Sequence, residues 1–447
     1  MKYTEIGEIP LVEREQKPFK LLFLWFSSNM QLTTIVTGAL AISLHASIGS
    51  AIVGIIVGNV IGGSIMALHS AQGPRLPAPQ MVMTRALFGD LGSALPTIVF
   101  ALMYVGFYST TSVIGGQVLH HFFQLPFWLS LLFINLLTIL PVYAGDQFMK
   151  NVQHYLAYIL LVTFSYLSFS VHLLDYRTLL PDIYSHLSVS SILTMVGVAI
   201  TWQISYTPYV ADYSRSLHPA LPSWKLMWFS GAGTILSSTW MMGLGAIVAW
   251  RGITSDDIES AKFLLSQVSW FVKIPIEIVL VLGIITVNSF NLYGSYISYS
   301  ALLLSRKKHR VNHRFLLLFV ITILCTGISI WGKDNFMLKY STFLNYLIYF
   351  LIPWSAITLV NYYRASKSDR ESNLLKRIHD HYSVVWGTVI VYLTAVLFEF
   401  FVLISAHWLH WAGALSSITW MIGFISSVIL YLLKMKFSTR KRLTRFL

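Results

Sequence analysis

Long apolar stretches alternate with short polar segments along the whole chain. Twelve stretches are about 20 residues or longer, the length that an α-helix needs to cross the hydrocarbon core of a bilayer. They cover residues 21–44, 48–69, 91–119, 126–148, 152–174, 190–212, 224–250, 273–304, 314–332, 338–362, 382–405 and 409–434. No polar segment between them is long enough for a soluble domain. The pattern predicts an all-α integral membrane protein with twelve transmembrane helices, in which residues 1–447 form a single membrane domain.

The composition agrees with a membrane protein and argues against other classes. Apolar residues make up 55% of the chain and charged residues only 11%, whereas a typical soluble domain carries about 25% charged residues. The aromatic content of 15% excludes a disordered chain. Cys325 is the single cysteine, so no disulfide forms within the chain.

The net charge of +13 would indicate nucleic acid binding in a soluble protein, but here it follows the predicted topology. With twelve spans, 25 of the 31 lysines and arginines lie on the side that holds both ends of the chain, and six lie on the other. Cytoplasmic loops carry such an excess of basic residues. We therefore expect a multi-pass protein of the plasma membrane with both termini in the cytoplasm, in contact with the lipid bilayer and without a nucleic acid partner.

Two predicted spans carry dense polar patches at membrane depth. Residues 25–38 of the first span read WFSSNMQLTTIVTG, and residues 200–215 of the sixth read ITWQISYTPYVADYSR, with Pro208 after a run of hydrogen-bonding side chains. Serine and threonine in membrane helices often bond back to their own helix, which is the alternative interpretation. Paired interrupted helices in corresponding positions are typical of a transporter with its site near the bilayer midplane. We favour this second interpretation.

The third and eighth spans hold further candidate residues. Asn288 and Asn291 lie three residues apart and share a helix face. Their amides offer donors and acceptors that match the edge of a planar heterocycle, or they bond neighbouring helices together. The third span carries a stripe of Tyr104, Phe107, Tyr108 and Thr111. Such a stripe is more often packing than a binding face, and alone it identifies no site.

Two segments resemble the nucleobase:cation symporter family, in its purine/cytosine permease branch. Residues 73–89, GPRLPAPQMVMTRALFG, are similar to the family's loop between spans two and three, with Pro77 where a glycine is usual. Residues 207–215, TPYVADYSR, are similar to the element that closes span six. The likeness covers nearly the whole chain, from roughly residue 15 to 435.

The resemblance implies a leucine-transporter-type fold made of two inverted five-helix repeats. Residues 21–174 would form repeat one, residues 190–362 repeat two, and residues 382–434 two peripheral spans. It also implies a secondary active symporter that imports a nucleobase or related planar nitrogen heterocycle, such as cytosine or a purine, with Na⁺ or H⁺ by alternating access. Permeases for allantoin, hydantoin or a thiamine-precursor pyrimidine remain open alternatives.

The resemblance also implies a substrate site between spans one, three, six and eight. Phe107 takes the position of an aromatic that stacks on the base. The second aromatic would be Trp202 or Tyr206, because strict alignment puts Gln203 there and a shift of one residue is plausible. Hydrogen bonds in the plane of the ring would come from Gln31, Ser205 and Asn288, with Asn291 in reserve.

The coupling ion has two candidates, Na⁺ and H⁺. Relatives coupled to sodium use carbonyl groups of the broken first span, here Ser27 and Met30. They also use span-eight groups, which here match Gly283, Thr286 and Val287. Val287 replaces a hydroxyl ligand, and a missing hard oxygen weakens a Na⁺ site. Proton coupling is therefore the alternative.

Carboxylates at membrane depth would carry a proton, since ionisable groups there are functional candidates by default. Glu277 and Glu399 are the two examples. Both lie near the predicted outer ends of their spans, which favours an interfacial position for each. Asp212 and Arg215, near the inner end of span six, are expected to form a cytoplasmic gate or a structural pair.

Other functions have weaker support in the sequence. The pairs His407 and His410, and His379 and His381, fall in predicted loops or at the interface, where solvated histidines and an aromatic belt explain them better than a metal site. A membrane-embedded transferase is the alternative class, but it needs a charged catalytic cluster. A passive channel is a third alternative. We expect no cofactor, no enzymatic activity and a monomer.

Overall fold

The computed structural model describes residues 9–76, 79–172, 186–251, 266, 268–304, 314–364, 384–408 and 412–443. Most of these residues are helical, and extended pairing among them is limited to an isolated parallel bridge between Glu15 and Leu217. Pro77, His379, His381 and His410 lie outside the described residues. The all-helical class expected for a membrane protein is confirmed.

The helices follow one another with short connections. Their bounds are α1 Lys20–Ser28, α2 Leu32–Ser43, α3 Ile48–Ser70, α4 Gln80–Phe88, α5 Ala94–Phe122, α6 Phe127–Ala144, α7 Asp146–His172, α8 Val189–Ile204, α9 Val210–Ser214, α10 Ser223–Trp250, α11 Trp270–Leu304, α12 Arg314–Gly332, α13 Phe336–Arg364, α14 Trp386–Trp408 and α15 Ala412–Leu443.

Ten of the described helices are long and apolar enough to cross a membrane. They are α3, α5, α6, α7, α10, α11, α12, α13, α14 and α15. The other two predicted spans, residues 21–44 and 190–212, each consist of two shorter helices, α1 with α2 and α8 with α9. Both interruptions are therefore confirmed, while the total of twelve spans stays a prediction.

The first interruption lies inside the polar patch of the sequence. Helix α1 ends at Ser28, and Gln31 is extended, with φ −151° and ψ 155°, before α2 begins. The Ser28 hydroxyl donates to the Leu24 carbonyl at 2.7 Å, and Gln31 Nε2 donates to the Ser28 carbonyl at 2.9 Å. Backbone carbonyls near a break need partners at membrane depth, and these polar side chains supply them.

Small residues allow the broken helices to pack closely on their neighbours. A Cβ atom on Gly38 of α2 would lie 1.9 Å from the Met242 carbonyl oxygen of α10. A Cβ atom on Gly245 of α10 would lie 1.9 Å from the Ile35 carbonyl oxygen of α2. Such backbone contact through glycine is a usual way for membrane helices to associate. Helices α1, α2, α3, α8 and α10 thereby form one bundle, and α5, α6, α7, α11 and α12 form a second group.

The two faces of the molecule are distinguished by the loops that they hold. Glu15 N–H donates to the Ser216 carbonyl at 2.9 Å, and the Arg14 guanidinium donates to the Pro74 carbonyl at 3.1 Å. Asp212 Oδ1 accepts the Gln80 backbone N–H at 2.6 Å, which ties α9 to the start of α4. We call this face the α4 side and the other face the far side.

The position of Glu399 corrects one expectation. Glu399 lies in the middle third of α14, is 0% exposed, and packs against Gly423 of α15. Neither of its carboxyl oxygens has a hydrogen-bond partner among the described residues. The interfacial interpretation of Glu399 is therefore wrong, because packing between α14 and α15 encloses the side chain. Glu277 lies in the third turn of α11, close to Lys273.

Candidate functional site

A cavity of about 670 Å³, including its mouth, lies where the two interrupted helices meet. It is bordered by the first, third, sixth and eighth predicted spans and also by α7. The lining residues are Leu24, Trp25, Ser28, Gln31, Thr33, Phe107, Thr111, Gln153, Trp202, Ser205, Tyr206, Tyr209, Tyr213, Val287, Phe290 and Asn291. None of these side chains carries a formal charge.

Aromatic rings form the walls at mid-depth. Phe107 and Trp202 lie edge to face, with ring centroids 5.7 Å apart and planes at 90°. Trp202 and Tyr206 are also perpendicular, with centroids 6.2 Å apart. The structure thus brings Phe107 together with both aromatics proposed for span six. In the span-three stripe, Thr111 also lines the cavity, whereas Tyr108 is buried in a separate core cluster.

Asn29 holds these walls in place from the break between α1 and α2. Its Oδ1 accepts the Trp202 indole N–H at 2.7 Å and the Tyr206 hydroxyl at 3.0 Å. Its Nδ2 lies at 3.0–3.2 Å from three acceptors, the Trp25 carbonyl, Thr234 Oγ1 and Ser237 Oγ. Asn29 was not predicted as a site residue, although an asparagine inside a membrane helix is itself a signal of interhelical bonding.

The polar edge of the cavity offers acceptors and donors to a ligand. Gln31 Oε1 is buried and has no hydrogen-bond partner among the described residues. Asn291 lines the same cavity from α11. The Ser205 hydroxyl is less available, because it donates to the Trp202 carbonyl at 2.6 Å. The expected residues that meet at the cavity are Gln31, Phe107, Trp202, Ser205, Tyr206 and Asn291.

Gln203 is not brought to the cavity. Its Oε1 accepts from the Thr234 hydroxyl at 2.7 Å, while its Nε2 donates to Asn59 Oδ1 at 2.9 Å and to Ser238 Oγ at 2.7 Å. These partners lie on α3 and α10, so the amide of Gln203 joins helices of the bundle.

Asn288 also faces away from the cavity. Its Nδ2 donates to Ser112 Oγ at 2.8 Å, and the Ser112 hydroxyl donates to Asn135 Oδ1 at 2.8 Å. Asn135 in turn donates to Thr326 Oγ1 at 2.7 Å. This chain of bonds connects α11, α5, α6 and α12, which agrees with the alternative interpretation of Asn288 as a bridge between helices.

The residues expected at a sodium site lie on two separate helix groups. The Ser27 carbonyl accepts the Met30 N–H at 3.0 Å, and the Thr286 hydroxyl donates to the Leu282 carbonyl at 2.8 Å. Gly283 faces Leu160 of α7. None of the four lines the cavity. The described residues contain no cluster of three histidine, cysteine, aspartate or glutamate side chains suited to a metal.

The cavity is closed toward the far side. The Thr37 and Tyr340 hydroxyls are hydrogen-bonded at 2.7 Å. Phe343 of α13 meets Phe107 edge to face, with centroids 5.2 Å apart, and its ring also fills the space beside Gly106. In the other direction the lining continues past Leu24 and Gln153 toward the α4 side. The cavity therefore extends from mid-depth toward the face that carries α4.

Several lining residues were not predicted from the sequence. They are Leu24, Trp25, Ser28, Thr33, Gln153, Tyr209, Tyr213 and Phe290. Part of this set had a signal, because Tyr206, Tyr209 and Tyr213 recur at spacings of three and four residues. Nothing in the sequence indicated Gln153. The site was expected between spans one, three, six and eight, and Gln153 lies on α7, the fifth span.

Comparison with known proteins agrees with this architecture. Residues 8–423 match a family described as permeases for cytosine/purines, uracil, thiamine and allantoin. A putative purine-cytosine permease, YxlA of Bacillus subtilis (strain 168), is 32% identical, over 98% of this chain and 96% of the relative. The purine-cytosine permease fcyB of Emericella nidulans is 24% identical, over 80% of this chain and 72% of the relative.

The fold is shared with solved transporter structures. Mhp1, a nucleobase-cation-symport-1 family transporter solved closed with bromovinylhydantoin, superposes with a TM-score of 0.74 at 16% identity, over 98% of this chain and 96% of that one. Its inward-facing conformation gives the same TM-score at 15% identity, over 99% and 95% of the two chains. The family and the relatives are transporters rather than enzymes, which excludes the alternative of a membrane-embedded transferase. The chain is a multi-pass membrane transporter and belongs to the family of permeases for cytosine/purines, uracil, thiamine and allantoin.

Proposed function

We propose that this permease is a secondary active symporter that imports a nucleobase or a related planar nitrogen heterocycle by alternating access. One observation carries the proposal: an uncharged cavity at the paired helix breaks, walled by Phe107, Trp202 and Tyr206. Aromatic faces suit a flat π-system, and stacking on a base is worth about 1–3 kcal/mol. The names of the relatives, purine-cytosine permeases, support the same substrate class.

The polar groups of the cavity select a neutral ring with N–H groups. A charged ligand would lose its hydration without meeting a counter-charge, because no lining residue is ionised. The unpaired Gln31 Oε1 needs a donor. Cytosine and the purines supply ring or exocyclic N–H groups, and allantoin, hydantoins and thiamine-precursor pyrimidines also supply N–H groups.

The orientation of the cavity in the membrane follows from the charge distribution. The α4 side carries the segments that hold most lysines and arginines, so we assign it to the cytoplasm. The cavity then faces inward, with its outer gate formed by Thr37, Tyr340 and Phe343. Opening this gate while the inner half closes would complete the transport cycle. The proposed architecture is twelve spans in one domain, with repeats at 21–174 and 190–362 and peripheral spans at 382–434.

The coupling ion is Na⁺ or H⁺ in this proposal. A sodium site would use the carbonyls of Ser27 and Met30 together with Gly283 and Thr286, once α1 approaches α11. Val287 lacks the oxygen that a stronger site would have. Replacing external sodium and adding a protonophore separate the two ions. Uptake that neither treatment changes would remove the symport proposal and favour a passive channel.

The substrate is tested by uptake into cells that lack their own nucleobase transport. Radiolabelled cytosine, adenine, hypoxanthine, allantoin, hydantoin and a thiamine-precursor pyrimidine would be compared in cells that express the wild-type chain or Phe107→Ala. We expect one of these rings to accumulate above its external concentration, and the variant to lose that uptake while remaining in the membrane. Accumulation of none of the six contradicts the proposal.

A further inference from the structure

Toward the α4 side, the same cavity is lined by further aromatic rings, and two of them, Trp25 and Tyr209, contact Tyr206. Trp25 of α1 lies 5.4 Å from Tyr213 and 6.1 Å from Tyr209, measured between ring centroids. Tyr209 and Tyr213 are themselves 6.3 Å apart. All three rings line the cavity, and they lie on the α4-side halves of the two interrupted spans. This part of the cavity therefore lies between Phe107 and Trp202 at mid-depth and the α4 side.

Trp25 carries an unsatisfied donor in this part of the cavity. The side chain is only 1% exposed, and its indole Nε1 has no hydrogen-bond partner among the described residues. A buried donor without a partner is costly, so each such group calls for an explanation, and a bound ligand that accepts its hydrogen bond is one. The indole of Trp202 differs, because Asn29 accepts its N–H. Gln153 of α7 also borders the cavity and is 7% exposed.

We propose that Trp25, Tyr209, Tyr213 and Gln153 form a second binding subsite for the same class of planar heterocycle, here called the release subsite. The ring stacks on these aromatic faces while a ring nitrogen or carbonyl oxygen accepts the Trp25 N–H. This inference rests on the proposed function, since it takes the substrate class from there. A ring leaving the mid-depth walls enters the release subsite before it reaches the α4 side.

The two subsites have complementary requirements. The mid-depth walls offer the acceptor Gln31 Oε1, so a ligand there must donate. The release subsite offers the donor Trp25 Nε1, so a ligand there must accept. Cytosine and adenine carry both kinds of group on one ring. A ring that lacks an acceptor on its edge would bind only at mid-depth.

Binding stoichiometry of the purified full-length protein tests the proposal. Equilibrium dialysis with radiolabelled cytosine and, separately, adenine would count the rings bound per chain. We expect two rings for wild type, with different affinities. Trp25→Leu should bind one, with the affinity of the mid-depth site unchanged. Phe107→Ala should also bind one, at the release subsite.

A milder pair of variants covers the case in which Trp25→Leu fails to fold. Trp25→Phe keeps an aromatic ring but removes the N–H, and it should weaken the second binding event about tenfold, the size of one buried hydrogen bond to a neutral group. Trp228→Phe is the matched control, because Trp228 is 65% exposed on α10 and remote from the cavity lining. It should bind both rings as wild type does.

The outcomes separate this inference from the proposed function. One ring per wild-type chain, or two rings with unchanged affinities in both Trp25 variants, overturns the release subsite and leaves the proposed function standing. Binding of neither base by wild type, together with no uptake of any of the six rings, contradicts the proposed function itself.

Discussion

A few buried side chains determine the shape of the cavity at the residue scale. The side chain of Asn29 joins the break in the first span to Trp202 and Tyr206 in the sixth and to Thr234 and Ser237 in α10. Since the site is a gap between helices, the side chains that hold the helices apart and in register matter as much as those that face the ligand.

Asn29→Ala should therefore impair both stability and transport. Removing the amide leaves the Trp202 N–H and the Tyr206 hydroxyl unpaired, at a cost of about 1–3 kcal/mol for each buried group. We expect a lower melting temperature of the purified protein and uptake reduced at least about tenfold in the membrane, since 1.4 kcal/mol corresponds to a factor of ten. Asn151→Ala, at an exposed position of α7, serves as the control. Wild-type uptake by Asn29→Ala would contradict this role.

Asn288 and Asn291 provide a matched comparison of two asparagines on one helix. Asn291→Ala should raise the KM for uptake and leave the melting temperature near that of wild type, because Asn291 lines the cavity. Asn288→Ala should lower the melting temperature by removing its bond to Ser112. Uptake kinetics and melting temperatures of the two variants test these expectations. The reverse pattern would place Asn288 at the substrate.

Among the contacts between helices, the close backbone approach of α2 to α10 determines how the first broken span is held. Gly38 and Gly245 each lie against a carbonyl of the opposite helix, so neither has room for a methyl group. The contact holds α2, the second half of the broken first span, on α10. The cavity lies next to α2.

Gly38→Ala should separate these helices. The added Cβ would meet the Met242 carbonyl, and overpacking of this kind costs about 1–3 kcal/mol. We expect lower expression and a lower melting temperature. Gly327→Ala is the matched control, because a Cβ there meets nothing within 4 Å. Equal stability of the two variants would show that α2 moves freely against α10.

Glu399 belongs to the packing of the peripheral helices. It lies on α14 against Gly423 of α15, and none of the cavity-lining residues belongs to these helices. We expect Glu399→Gln to retain uptake with an unchanged dependence on external pH, because the glutamine is neutral and similar in size. Uptake at several pH values measures this. A lost pH dependence would instead identify Glu399 as a coupling group.

The whole molecule combines a closed far side with a cavity that extends toward the α4 side. This asymmetry depends on contacts between helix groups that are distant in sequence, such as Thr37 with Tyr340 and Phe107 with Phe343. From the excess of basic residues on the segments of the α4 side, we propose that the cavity opens toward the cytoplasm.

Cysteine labelling tests this direction. In a Cys325→Ala background, Ser28→Cys should react with a membrane-impermeant thiol reagent in inside-out vesicles and be protected in right-side-out vesicles. Leu44→Cys, at an exposed turn on the far side, should show the opposite pattern and so verify vesicle orientation. Labelling of Ser28→Cys only from outside would reverse the proposed topology.

Local sequence features predicted much of the architecture. Hydropathy over about 20 residues marks a span without knowledge of its neighbours. The polar patches at residues 25–38 and 200–215 likewise predicted both helix breaks, because backbone freed at membrane depth needs nearby polar partners. Phe107, Trp202, Tyr206 and Asn291, which line the cavity, were among the residues that the family resemblance predicted for the site.

The tertiary structure alone decided which polar side chains face the cavity. Neighbouring residues on a helix point about 100° apart, so a one-residue difference in alignment exchanges Trp202 for Gln203, and helix packing decides which of the two faces the cavity. Asn288 faces Ser112 rather than the cavity for the same reason. The roles of Asn29, Trp25 and Gln153 depend on helices that are far apart in sequence, as does the closed far side. The sequence thus determined the spans, their breaks and the family, whereas packing between helices determined the site.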